Sequence, residues 1–349
     1  MKVGILKEAL GIDVSKATLS MCLGIMQSDL SKGFIAREDV SNDLAGFKEL
    51  SKWLKRSTKG MEKPIIVMEA TGVYHEGIAL YLHRQGYRVS VMQSGRVKRY
   101  AQSLDQRSKT DALDSKMLSM LGCERDLATW EPPSPLMQNL KSLSRERSRL
   151  IKERSIETNR HQAIESSNYQ DKRATNRFKQ RMKLLASQLG EIELEMLELT
   201  EEDAELSRKL AHVTSAPGIS FITAVTVVAE TSGFALINSG KQLTSYAGYD
   251  VVLRDSGNFN GQTRISKKGN KHIRAVLHMP SMAAIRFNPT MKVFYQRLKP
   301  KKIKPIVALV AVQRKMLILM YTLWTNEENY DGEYEQKKAA RKQVPSCTG

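Results

Sequence analysis

Apolar positions in the first quarter of the chain alternate or run in short blocks, as strands do, and then give way to helical spacing. Ile5 to Val14 reads as a strand ending in Gly11-Ile12-Asp13-Val14, followed by a polar turn at Ser15-Lys16. Thr18 to Ile25 and Phe34 to Val40 read as a hairpin around Ser28 to Gly33. Leu44, Phe47, Leu50 and Leu54 form one stripe of a helix from Asp43 to Arg56, with Asn42 as its N-cap. Ile65 to Glu69 is a short apolar run of buried-strand type. Thr71-Gly72 then turns the chain into a helix from Val73 to Gln85, which Gly86 stops, and Tyr87 to Met92 is a further strand. This order predicts an α/β unit with a mixed sheet.

Trp130-Glu131-Pro132-Pro133-Ser134-Pro135 is a rigid break and marks a domain boundary. From Leu136 to Leu210 the chain is nearly free of Pro and Gly. Leu140, Leu143, Leu150 and Ile151 recur at helical spacing, as do Leu184, Leu185, Leu189, Ile192, Leu194 and Leu197, with a polar patch from Glu165 to Ala174 between them. Two long antiparallel helices are expected, or a coiled coil that also joins subunits. Ser215-Ala216-Pro217-Gly218-Ile219, followed by Phe221 to Ala229, resembles a helix-hairpin-helix element. Ser220 stands where that motif has a second Gly, so an ordinary helix start fits as well. Lys241 to Tyr246 is a short helix. Arg254 to Gly257 reads as a polar loop, Ser266 as the N-cap of a helix running through Ile285, and Ile306 to Trp324 as a core helix. The expected parts are therefore residues 1–130, 136–210, 211–325 and a polar tail, 326–349.

Composition adds the partner. The 349 residues are 41% apolar, enough for a real core, but 55 Lys and Arg against 37 Asp and Glu leave a net charge of +18. That excess points to a polyanion, with nucleic acid ahead of a membrane surface. Apolar runs fall short of the roughly 18 residues that span a bilayer. Lys7, Glu8 and Asp13 interrupt the N-terminal stretch before any secretion signal forms. Cys22, Cys123 and Cys347 lie far apart, which fits a reducing cytoplasm, and the six histidines show no metal-ligand spacing.

The candidate chemistry is acidic. Asp13 closes the first strand and Glu69 the fourth, and strand ends with crossover helices collect along one sheet edge. Asp111 and Asp114 lie three apart on one helix face. Taken singly, each is an ordinary strand-end or helix-face carboxylate. Brought together, the four would repel one another unless a cation sat between them. Mg²⁺ takes oxygen ligands of this kind and acts on phosphodiesters. In the last third, cations crowd Ser266 to Arg274, at the start of a helix whose macrodipole favours anions. A phosphate backbone lying there would account for them. Lys109, Arg254, Arg264, Lys267, Lys268, Lys271 and Arg274 are the nucleic-acid-binding candidates.

These stretches together resemble the DEDD transposases of the insertion sequence 110 family, which includes the pilin-gene invertases and the bridge-RNA-guided recombinases. The matching pieces are Gly11 to Lys16, Met68 to Gly72, Lys109 to Asp114, Ala216 to Ile219, Ser245 to Gly248, Asp255 to Gly257 and Ser266 to Asn270. Each is weak alone, and the ordered set is specific. The resemblance implies a RuvC-like, RNase H-type N-terminal domain, a coiled coil and a mainly helical C-terminal transposase domain. It implies an acidic tetrad of Asp13, Glu69, Asp111 and Asp114 binding Mg²⁺, with Mn²⁺ as a substitute, and a nucleophilic serine at Ser256. It also implies donor and target DNA, a structured guide RNA, homodimers pairing into tetramers, and a bacterial, nucleoid-associated protein without a membrane.

The pieces make chemical sense together. A serine hydroxyl needs activation near neutral pH, and a covalent intermediate conserves phosphodiester energy for rejoining. Arg254, two residues earlier, would clamp the phosphate. Ser108 and Ser115 depart from the family's usual Asn and Ala, at positions that are not ligands. Ser266, also in a basic loop, is the second candidate for the nucleophile. Two other functions fit the same residues: a metal-dependent nuclease of Holliday-junction type that uses water, and a non-catalytic DNA- or RNA-binding protein.

Overall fold

The computed structural model describes residues 4–60, 62–104, 110–167, 171–235, 237–252, 255–256, 259–260, 264–301 and 304–334, with backbone alone at 255–256, 259–260 and 301. The chain divides into two units, Met1–Pro132 and Pro133–Gly349.

The first unit is built on strands β1 (Ile5–Val14), β2 (Thr18–Gln27) and β3 (Lys32–Ser41), helix α1 (Leu44–Ser57), strand β4 (Ile65–Glu69), helix α2 (Glu76–Arg84), strand β5 (Val89–Met92), and helices α3 (Ser94–Ser103) and α4 (Asp111–Glu124). The sheet order is β3-β2-β1-β4-β5. β1, β2 and β3 pair antiparallel, whereas β4 joins β1 in parallel and β5 joins β4 in parallel, so the sheet is mixed as expected. Its two faces bury different residues. Leu10, Ile12, Val14, Ile66 and Met68 pack with Leu50, Leu54, Ile78 and Leu82 of α1 and α2. Ala9, Ile65 and Val67 pack with Met117, Leu118 and Leu121 of α4.

Local signals needed some correction. The cap of α1 is Asp43, whose carboxylate accepts from the Gly46 N–H at 3.0 Å. Asn42 instead donates to the carbonyls of Ser15 and Tyr74 at 2.8 and 3.1 Å, stitching two loops together. α2 starts at Glu76 rather than Val73, because Gly72 (φ +53°) still belongs to the preceding turn. Gly86 (φ +74°) ends that helix as the sequence indicated.

The second unit opens with α5 (Pro135–Glu165), capped by Ser134, and α6 (Lys172–Glu201). Arg147 meets Glu193 at 2.7 Å, Arg181 meets Glu157 at 2.8 Å, and His161 stacks on Phe178 with centroids 3.9 Å apart. Partner numbers fall on one helix as they rise on the other, so the pair is antiparallel. Leu140, Leu143, Leu185, Leu189 and Ile192 are buried, but Leu184, Leu194 and Leu197 point outward despite their helical spacing.

Helices α7 (Ala204–Thr214), α8 (Phe221–Glu230) and α9 (Gly240–Ala247) follow. Next come the short strands β6 (Val251–Val252), β7 (Asp255–Ser256), β8 (Phe259–Asn260) and β9 (Arg264–Ile265). β6 pairs with β9 and β7 with β8, both antiparallel, so the described residues of the stretch read as a polar loop lie in short paired strands. α10 (Lys271–Val276), α11 (His278–Phe287), α12 (Pro289–Leu298) and α13 (Pro305–Asn326) complete the unit. The helix expected to run from Ser266 through Ile285 is thus two helices that meet at Leu277, and Asn270, not Ser266, caps the first of them.

α8 is buried along most of its length, and Ser220 Oγ accepts from Thr223 N–H at 3.3 Å, an ordinary helix start. α13 is long and apolar enough, by length and composition, to cross a bilayer. Gln313, Arg314 and Lys315 interrupt it, and Val312, Met316, Leu317 and Met320 are buried in the core of the second unit. The described part of the expected tail packs back: the Tyr330 hydroxyl donates to Asn288 Oδ1 at 3.0 Å, and Glu327 pairs with Arg208 at 2.8 Å.

Candidate active site

Asp13 and Glu69 sit at neighbouring strand ends. β1 and β4 run in parallel with Ile12 opposite Met68, so the next step along both strands sets Asp13 beside Glu69. Alternation fixes their face. A Cβ on Gly11 would lie 2.0 Å from the Ser115 carbonyl oxygen, and one on Gly122 would lie 2.7 Å from Ala9 Cβ and 2.8 Å from Val67 Cγ2. Ala9, Gly11 and Val67 therefore face α4, and Asp13 and Glu69, each two residues further on, share that face.

The same contacts give the direction of the helix. Ala9 lies by Gly122 and Gly11 by Ser115, so α4 runs opposite to β1 and its first turn lies toward the Asp13 end. That turn carries Asp111 and Asp114, and Thr110 caps it by accepting from Leu113 N–H at 3.3 Å. Asp13, Glu69 and Asp114 are half-buried and Asp111 is exposed. Two acids in a first turn also suit the helix macrodipole, so the position alone does not require a metal.

The donor set is all carboxylate oxygen, the chemistry that a hard divalent cation takes. Among the described residues, no three His, Cys, Asp or Glu side chains are grouped closely enough to hold an ion. The backbone therefore brings the four acids to one end of one sheet face, and the side chains stop short of a closed cage.

The remaining candidates divide between the units. Lys109 and Arg254 lie outside the described residues. Ser256 ends β7, with its backbone paired to Phe259. Arg264 belongs to β9, and Lys267, Lys268 and Lys271 are exposed. Lys267 has φ +53°, and its N–H donates to the Gly248 carbonyl at 3.1 Å. Gly248 (φ +74°) and Gly269 make that contact possible, since a Cβ on Gly269 would lie 2.5 Å from Gly248 N. Arg274 turns its guanidinium inward to the Ala247 carbonyl at 2.7 Å. That contact holds the end of α9.

One group escaped the sequence reading. Glu230 closes the apolar α8 with a fully buried carboxylate, held by Arg145 at 2.7 and 3.0 Å and by Asn270 Nδ2 at 2.7 Å. Burial pushes its carboxyl up. The hydrogen bonds from Arg145 and Asn270, and the charges of Arg145 and Lys141, more than offset this and leave it below the ordinary value. The one available signal was a lone acid ending an otherwise apolar helix.

Two family profiles match the chain. A DEDD transposase profile of the IS110 group covers residues 10–164, and a profile of the IS116/IS110/IS902 transposase family covers residues 210–296. The pilin gene-inverting protein of Moraxella bovis is 25% identical over 339 residues, 93% of this chain and 98% of its own length. That of Moraxella lacunata is 26% identical over 337 residues, with the same shares. The acid-bearing N-terminal unit and the helical C-terminal unit each carry their part of this likeness, and the chain belongs to the IS110 family of transposases, a family of DNA-rearranging enzymes.

Proposed function

We propose that the chain cuts and rejoins DNA with Ser256 as nucleophile and with Asp13, Glu69, Asp111 and Asp114 as ligands of Mg²⁺, which Mn²⁺ can replace. The observation that carries this reading is the shared face of Asp13 and Glu69, with the first turn of α4 at the same end. An ion held there would offset the mutual repulsion of those carboxylates. A divalent ion there would offset charge developing on the phosphate. The sheet order β3-β2-β1-β4-β5, with one antiparallel half and one parallel half, supports a RuvC-like, RNase H-type reading of the first unit.

In the reaction, a bond forms from Ser256 Oγ to phosphorus while one P–O bond of the DNA strand breaks. The serine proton passes through solvent or a base to the departing deoxyribose oxygen. Attack by a deoxyribose hydroxyl of a second strand on the phosphoserine then restores the serine and a phosphodiester. Bond energy is conserved, so no nucleotide triphosphate is consumed. The relatives named as pilin gene-inverting proteins support inversion of a DNA segment as one outcome. A structured bridge RNA guiding donor and target, and homodimers pairing into tetramers, complete the reading. The outward Leu184, Leu194 and Leu197 of α6 and Ile156 and Ile164 of α5 support a coiled-coil role for the helix pair between subunits.

The test is to trap the protein on a nicked suicide DNA with Mg²⁺ and locate the modified residue by mass spectrometry. A DNA adduct at Ser256, lost in Ser256→Ala, is expected. Cleavage and strand exchange that survive in Ser256→Ala would sink the serine reading and leave a water-using nuclease.

A further inference from the structure

Lys141, Arg145, Arg149 and Lys152 lie at i, i+4, i+8 and i+11 of α5, one face of a helix and about 16 Å long at 1.5 Å per residue. Glu146, Glu153 and Glu157 fall on the adjoining face. Among the described residues, no carboxylate comes within ion-pair distance of Lys141, Arg149 or Lys152. Glu230 offsets the charge of Arg145 and in part that of Lys141. Arg149 and Lys152, one turn apart, repel each other, so that end of the stripe is unfavourable unless something else neutralises it. The far end of the helix pair differs, because Arg160 and Arg181 share Glu157 there, and Arg177 pairs with Asp171.

The stripe is fastened to the basic loop ahead of α10. Arg145 reaches the buried Glu230, Glu230 takes a hydrogen bond from Asn270, and Asn270 caps α10 by accepting from the His272 and Ile273 N–H groups at 2.9 and 3.2 Å. The His272 imidazole is held below its ordinary value, first by burial, with Arg145, Lys271 and Lys152 also lowering it against the pull of Glu230. Those cations therefore act on one imidazole in the first turn of α10, and Glu230 of α8 is the observed link between that turn and α5.

We propose that Lys141, Arg145, Arg149 and Lys152, continued by Lys271, form a surface that binds the phosphodiester backbone of a nucleic acid alongside the loop at 266–270. This deepens the recombinase reading and rests on it for the identity of the partner. A row of cations on a rigid helix grips phosphates without reading bases, so it sets register and orientation rather than sequence.

The experiment measures binding of the full chain to a labelled duplex DNA and to a labelled RNA hairpin across a salt series, in EDTA so that no strand is cut. The variant Lys141→Gln/Arg149→Gln/Lys152→Gln is compared with Arg173→Gln/Lys179→Gln/Lys183→Gln, which removes as many charges from α6, and circular dichroism verifies that both fold. The α5 variant should bind about tenfold or more weakly, and its slope of log K against log salt should shrink by about 0.9 for each duplex phosphate it no longer neutralises. Weaker binding of DNA alone, RNA alone or both supports the surface and says which strand it holds. An unchanged slope for both ligands, or an equal weakening in the α6 variant, overturns it. Strand exchange by tetrad variants is read separately, so failure of the chemistry and failure of this surface remain distinguishable.

Discussion

Gly11 and Ser115 meet backbone to backbone: a Cβ on Gly11 would stand 2.0 Å from the Ser115 carbonyl oxygen and 2.4 Å from Ser119 N. No side chain can swing aside there. The contact seats α4 flat on β1 and sets how near the Asp111 turn comes to Asp13.

Gly11→Ala should therefore push α4 off the sheet. Overpacking of this kind costs about 1–3 kcal/mol, to be read by urea unfolding. Recombination should fall further than stability does, because the two halves of the acidic set separate. Full recombination in a correctly folded Gly11→Ala protein would show that the seating of α4 does not matter to the chemistry.

Asp111→Asn and Asp114→Asn separate the metal reading from a helix-dipole role. Loss of a first-turn charge costs about 0.3–1 kcal/mol of stability. If that were all the acids did, strand exchange would persist. The expected outcome is a small change in melting with exchange reduced by about a hundredfold or more, a size usual for removing charge stabilisation from a site. Exchange near the wild-type rate in both variants would leave the acids as dipole partners only.

Glu230 and Arg145 should respond asymmetrically. Arg145→Leu strands a buried carboxylate and should cost about 3–5 kcal/mol at neutral pH. Glu230→Gln leaves a guanidinium that is 44% exposed and can turn to water, so it should cost less. The Glu230 pKa is lowered in the folded chain from its ordinary 4.5. Its contribution is thus present above about pH 4.5 and is lost as pH falls through the lower, folded value. In Arg145→Leu the sign reverses, since the stranded carboxylate gains from a proton, and the deficit should narrow in acid. Urea melts between neutral pH and pH 4 test both statements. Equal costs for the two variants would contradict the asymmetry.

Much of the first unit was legible in the sequence because its signals are local. Period-two runs gave β1 and β2, the apolar block Ile65–Glu69 gave β4, and Gly86 gave the end of α2. The order of acids along the chain was equally visible, as was the family likeness they carry. Where several polar residues competed for one role, local reading chose wrongly: Asn42 for Asp43, and Ser266 for Asn270. Caps are decided by which side chain the neighbouring loops leave available.

Most elements of the first unit, the excess of positive charge and the inventory of candidate acids were thus written in the residues themselves. Folding added which strand ends are neighbours, the seating of α4 on the sheet at Gly11 and Gly122, and the outward turn of Leu184 and Leu194. It also gave the lone glutamate ending α8 its partners, Arg145 and Asn270, 85 and 40 residues away. The reason is physical. Periodicity and turn chemistry act over a few residues and run in order along the chain. Backbone contacts between a strand and a helix a hundred residues apart, and the desolvation that makes a buried carboxylate seek partners, arise only when the chain has closed on itself.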